Sequence, residues 1–136
     1  GRAHFLLFDI NRSFDIYERA GIGFDSSCSY AERVGFRFGT SKPFRPYNFK
    51  EEREYHFIEI PLIIMDGTLS NHKYMNLTPE EGYIKTKSFI DKIKKFNGVL
   101  TLLWHNSSFY TIQWRQWEKV FLGSLSYLKE NNFVFI

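Results

Sequence analysis

The chain has one cysteine, Cys28, which excludes an internal disulfide framework and any multi-cysteine metal site; its plain reading is a buried thiol in a turn. It has no apolar run near the roughly 18 to 20 residues that cross a bilayer, and no charged-then-apolar leader opens it. No membrane partner is expected. Excess positive charge is also scarce: 18 Lys and Arg stand against 15 Asp and Glu, a net +3, so no nucleic-acid partner is expected. Three local signatures are missing: a His-x-x-x-His helix pair, a glycine-rich phosphate loop and a Gly-x-Ser-x-Gly elbow. Their absence removes the sequence-readable forms of zinc protease, nucleotide-binding and serine hydrolase chemistry.

Aromatic residues are abundant. They make up 19% of the 136 residues, with fifteen Phe and eight Tyr, inside an otherwise ordinary soluble composition of 43% hydrophobic and 24% charged residues. The length suits one domain with a core of its own. Gly1 in place of an initiating Met points to a tag remnant or to a piece of a longer protein. The sequence leaves the compartment unassigned, with the cytoplasm favoured.

The pattern along the chain alternates. Ala3 to Phe8 reads as a first strand. Asn11 or Ser13 caps a helix with Phe14, Tyr17 and Ile10 on one face, stopped at Ala20-Gly21. Ile22 to Asp25 is a second strand. Residues 26–55 carry neither helical nor strand periodicity and are punctuated by Gly and Pro. A connection this long is uncommon in a compact domain unless functional. Its aromatics and cations, among them Tyr30, Arg37, Phe44 and Tyr47, are candidates to stack on sugars or bind anions; the plain alternative is a loop that packs its own aromatics.

Phe57 to Met65 is a third strand in which Pro61 implies a bulge or edge position. Thr78-Pro79-Glu80-Glu81 starts a helix with a cap, a first-turn proline and a capping-box glutamate. Its apolar stripe holds Ile84, Ile90, Ile93 and either Phe89 or Phe96, and Asn97-Gly98 ends it. Val99 to Leu103 reads as a strand buried on both faces. A helix from about Gln113 to Glu130 follows, and Phe133 to Ile136 closes as a strand. The order β-α-β-loop-β-α-β-α-β predicts an α/β fold of parallel-strand β/α units.

The chemistry collects at strand ends. Asp25, Asp66 and His105 each follow an apolar run, with Arg2 and His4 beside the first strand. In parallel α/β folds the C-terminal strand ends share one crevice. A histidine and carboxylates there can form a general acid with its orienting partner or an O/N metal site, and both readings stay open. The plain alternative is a histidine satisfied within the fold. His56 and His72 read as loop or surface residues.

Five short motifs occur in order: Arg2-x-His4-Phe5-Leu6, Ala20-Gly21-Ile22-x-Phe24-Asp25-Ser26-Ser27, Gly35-Phe36-Arg37-x-Gly39-Thr40, Glu59-Ile60-Pro61-Leu62 with Met65-Asp66-Gly67-Thr68-Leu69, and Leu102-Leu103-Trp104-His105-Asn106. Together they resemble the C-terminal half of a polysaccharide deacetylase-like protein of the carbohydrate esterase family four type. The resemblance implies a distorted seven- or eight-stranded β/α barrel, incomplete in this chain, and metal-dependent removal of acetyl groups from N-acetylated sugars. By resemblance His105 protonates the departing amine, Arg2 orients the catalytic base and Asp25 matches the carboxylate of the fourth motif. Asp66 and Trp104 join Arg37, Tyr30, Phe44 and Tyr47 as candidate substrate-binding residues. The chain departs from the family pattern after Arg2, where proline and tyrosine are replaced, and it lacks the tryptophan of the fourth motif. No metal ligand is assignable within it; a divalent, zinc-type metal is expected for the complete family site, on residues that would precede Gly1. The alternative is a non-catalytic carbohydrate- or partner-binding module using the 26–55 loop, and self-association through an open sheet edge is expected.

Overall fold

The computed structural model describes residues 1–135. Its elements in chain order are α1 (Ser13–Arg19), β1 (Phe24–Asp25), β2 (Tyr47–Asn48), β3 (Arg53–Glu54), β4 (Ile58–Glu59), β5 (Ile64–Met65), α2 (Asp66–Ser70), α3 (Pro79–Lys95), β6 (Leu102–Leu103) and α4 (Trp117–Glu130). The mixed helix and strand content is α/β. The strands pair two by two: β1 with β4 and β5 with β6 are parallel, and β2 with β3 is an antiparallel hairpin.

The run from Phe57 to Met65 is the axis of this arrangement. Its first half bonds to the β1 side, through Ile58 N–H to Gly23 O at 3.0 Å, Ile60 N–H to Asp25 O at 2.8 Å and Leu62 N–H to Cys28 O at 3.2 Å. Its second half turns to the β6 side, where Ile64 N–H reaches Thr101 O at 3.3 Å. The change of side falls next to Pro61, which has no N–H to offer either neighbour. Thr101 bridges the gap: its hydroxyl donates to Pro61 O and accepts from Ile63 N–H. Three extended segments therefore lie side by side in the order 23–28, 57–65, 101–103.

Two apolar clusters hold them. Val34, Ile63, Ile64, Leu69, Phe89, Ile93, Trp117 and Val120 form the larger, under α3 and α4. Phe14 and Tyr17 of α1 close the smaller over Tyr55 and Phe57. Each fully buried side chain of this size contributes about 1.5–3 kcal/mol. The start of α3 follows the sequence reading: Thr78 Oγ1 accepts from Glu81 N–H, Glu81 returns a bond to Thr78 N–H, and Pro79 opens the first turn. Asn97 at φ 51° ends it. The helices touch through a glycine, since a Cβ on Gly82 would lie 2.8 Å from the Trp117 ring.

Several expectations are corrected. Ala3 to Phe8 is not a strand but contains a short 3-10 turn, His4–Leu6, with Phe5 and Leu6 at φ 56° and 51°. Phe5 and Leu7 are exposed, as are Ile10, Ile84 and Phe96, so the stripes of α1 and α3 are narrower than their patterns suggest. The strand at Leu102–Leu103 is half-buried rather than covered on both faces. The last helix starts at Trp117, because Gln116 sits in left-handed geometry at φ 75° and breaks any earlier start. Residues 133–135 are not a strand, though Phe133 packs on the larger cluster; Ile136, where that strand was expected to end, lies outside the described residues.

Candidate functional site

Asp66 is fully buried where β5 passes directly into α2, and His105 follows β6, the strand paired with β5. The register Ile64↔Leu102 and Met65↔Leu103 sets the two strand ends level. Asp66 Oδ1 accepts from Gly67 N–H and from His105 Nδ1, each at 2.7 Å; Oδ2 accepts from His105 N–H at 2.7 Å and from the Ser108 hydroxyl. Four donors surround one carboxylate, which in that role is acceptor-only, so the Nδ1 proton belongs to the histidine. The imidazole is held twice by Asp66, at ring and backbone, while its side chain remains 51% exposed. This geometry fixes the tautomer, and Nε2, which meets no partner among the described residues, is the ring nitrogen left to give or take a proton at the surface.

Trp104 precedes this histidine and packs on Trp117 and Phe121, with ring centroids 6.3 and 5.4 Å away. Its indole Nε1 is buried and meets no acceptor among the described residues. After His105, the 3-10 turn Asn106–Phe109 carries Ser108 to Asp66.

Asp25 lies in a second buried group. It is 2% exposed, and its carboxylate accepts from Ser27 N–H at 2.8 Å and from the Ser27 hydroxyl at 3.0 Å. Its register partner on β4 is Glu59, which is fully buried. Glu59 Oε1 accepts from Cys28 N–H at 3.3 Å, whereas Oε2 meets no donor among the described residues. Burial, then the neighbouring Asp25 carboxylate, pushes the Glu59 carboxyl up to about 8. A carboxyl raised this far holds its proton at a higher pH than an ordinary glutamate. Burial, with Glu59 adding to it, also pushes the Cys28 thiol well above its ordinary range.

Arg2 lies beside this group, donating from Nε to Ser26 O at 3.0 Å and from its terminal nitrogen to the Ser26 hydroxyl at 3.1 Å. The structure thus brings Asp66 to His105 and separates Asp25 and Arg2 into a neighbouring cluster on β1 and β4. The loop candidates are dispersed. Arg37 donates to Ser29 O at 2.7 Å and lies over the Phe8 ring, Tyr30 stacks under Arg33, Phe44 packs edge-on to Phe38, and Tyr47 meets the exposed Phe49. Much of that loop packs its own aromatics, and residues 47–54 form the β2–β3 hairpin.

Sequence reasoning passed over two residues. Ser108 carried no signal, since its role comes from the turn after His105. Glu59 did carry one: a carboxyl in the middle of the apolar run Phe57 to Met65 must be neutralised or paired.

Among the described residues, no group of three or more His, Cys, Asp or Glu is disposed to hold a metal ion. The residues of this chain alone therefore do not fit the zinc-type site that the resemblance implies. Among the same residues no helix is long and apolar enough to cross a membrane. No family model, curated protein or solved structure matches the chain.

Proposed function

We propose that this chain supplies the proton-transferring wall of a polysaccharide deacetylase-like hydrolase acting on N-acetylated sugars, as the C-terminal segment of a distorted β/α barrel. The observation that carries the reading is the Asp66–His105 pair: a buried carboxylate on Nδ1 and an accessible ring whose Nε2 is free. In amide hydrolysis the departing nitrogen must gain a proton as the C–N bond breaks. A protonated Nε2 gives it, the amine leaves, and acetate forms from the acyl group and one water. Asp66 holds the ring in one orientation and balances the charge on the imidazolium. A divalent metal, where the complete site holds one, would supply water activation in this reading. The α/β part of the reading draws on the parallel pairs β1–β4 and β5–β6; among the described residues every sheet has two strands.

The test is acetate release from acetylated chito-oligosaccharides by the protein translated from its complete reading frame. The expected outcome is metal-dependent release that falls at least 100-fold in His105→Ala, in keeping with the 10²–10⁴-fold typical of general acid catalysis. Full activity in that variant would overturn the role of His105. An upstream reading frame without Asp-Asp and His-x-x-x-His motifs would overturn the deacetylase assignment. The alternative, a non-catalytic carbohydrate- or partner-binding module, draws on the exposed Tyr47–Phe49 pair; weaker sugar binding in Tyr47→Ala would favour it.

A further inference from the structure

A cavity of about 340 Å³ opens where the loop after Gly35 meets the C-terminal end of α3, lined by Phe36, Gly39, Thr40, Ser41, Lys42 and Phe96. We propose that this cavity binds a small aromatic phosphate, its ring against Phe36 and Phe96 and its phosphate on Thr40, Ser41 and Lys42. The inference is independent of the Asp66–His105 pair and of the reading built on it.

The polar part of the lining is rich in donors: two hydroxyls, from Thr40 and Ser41, and the Lys42 ammonium, with no carboxylate among the described residues that line it. Ser41 is 7% exposed, yet neither its hydroxyl nor its N–H meets a partner among the described residues. Polar groups at that depth are normally bonded, and a ligand oxygen satisfies them. Thr40 Oγ1 accepts from Lys42 N–H at 3.0 Å, which leaves its own proton to give. The three acceptor oxygens of a phosphate match such a set of donors. Positive charge also gathers here. Lys95 Nζ lies 5.8 Å from the Phe96 ring, and Lys92 Nζ lies 4.9 Å from the ring of Phe89, which packs on Phe36 at 5.4 Å. Neither of these lysines nor Lys42 makes an ion pair among the described residues. Lys92 and Lys95 stand in the last turn of α3 and answer its dipole, whereas Lys42 belongs to the loop and has no such task. The walls are set in place before any ligand arrives. Phe36 is backed by Phe89, Val99 N–H donates to Ser41 O at 3.1 Å, and the loop closes on the exit of α3 only because Gly98 has no side chain, since a Cβ there would collide with Ser41 Oγ. Little ordering is then lost on binding. Phe96 is 65% exposed, an aromatic face open to stacking beside a cavity within the 300–1,000 Å³ typical of ligand pockets.

The experiment titrates the chain with phenyl phosphate and with adenosine monophosphate, reading heteronuclear NMR shifts and calorimetry, with adenosine and inorganic phosphate as the two halves of the ligand. Binding should shift the Thr40, Ser41 and Lys42 amides and the Phe96 ring, and each half alone should bind more weakly than the whole. Lys42→Gln should weaken binding about tenfold, the scale of one charge-assisted hydrogen bond, and Phe96→Ala about three- to tenfold, the scale of one lost aromatic contact. Both side chains are exposed, and circular dichroism checks that the variants fold. Shifts spread along the lysines of α3, with affinity unchanged in Lys42→Gln, would overturn the site in favour of a general attraction to cations. Adenosine binding as tightly as its monophosphate would overturn the phosphate contact, and absence of binding at millimolar ligand would overturn the proposal as a whole.

Discussion

Replacing Glu59 with glutamine should stabilise this protein at neutral and mildly alkaline pH while leaving it little changed in acid. Glu59 is fully buried, and its carboxyl is raised from the ordinary 4.5 to about 8, first by burial and then by Asp25 across the parallel pair. The bond from Cys28 N–H and the Gly1 amino group pull the other way and do not offset the rise. Below pH 4.5 folded and unfolded chains both hold the proton, and its stabilising contribution is complete. Between 4.5 and 8 the unfolded chain releases the proton and the folded one keeps it, so stability falls as pH rises. Above 8 both have released it and the loss is flat. Each pH unit in that window is worth about 1.4 kcal/mol, so at pH 7 the loss is on the order of 3 kcal/mol. Glutamine keeps the shape of the side chain and does not titrate. Urea unfolding of wild type and Glu59→Gln from pH 4.5 to 8.5 should give curves that diverge with pH up to about 8 and then run parallel, the variant on top. A constant difference across that range would refute the raised Glu59 carboxyl.

Two further outcomes follow from the packing. Gly82→Ala should cost about 1–3 kcal/mol, the usual range for overpacking, because its Cβ would meet backed-up Trp117 atoms at 2.8 Å; thermal unfolding measures it, and an unchanged Tm would contradict the close α3–α4 approach. Cys28 is fully buried, with its thiol pushed up by burial and by Glu59, so a thiol reagent at pH 8 should label it only as fast as the protein opens; prompt labelling of the folded protein would contradict this placement.

The parts legible in the sequence are those set by local chemistry. Thr78, Pro79 and Glu81 specify a helix start within one turn, and Pro61 interrupts a strand wherever that strand lies. Ala3 to Phe8 had a strand's length and aromatic content, but among the described residues no segment pairs with it; instead Ala3 N–H bonds to the Ser27 hydroxyl, and the chain turns through left-handed geometry at Phe5. The site divides in the same way. That Asp25, Asp66 and His105 leave strand ends was readable, because each follows an apolar run. Which carboxylate meets the imidazole was not, because that depends on β6 pairing with β5, a long-range contact with no local signature.

The Asp66–His105 pair has no loop between strand and functional group on the aspartate side: Met65 ends β5 and Asp66 begins α2. Successive residues of a strand face opposite ways and advance about 3.3 Å. One residue inserted or deleted between Ile64 and Asp66 would turn the carboxylate away from His105, and two would restore the facing but displace it along the strand. Across descendants of this chain, the surrounding side chains can drift while the spacing from Ile64 to Asp66 and from Leu102 to His105 cannot. Counting residues across those two intervals is therefore a more faithful mark of shared chemistry than the identity of the residues that fill them.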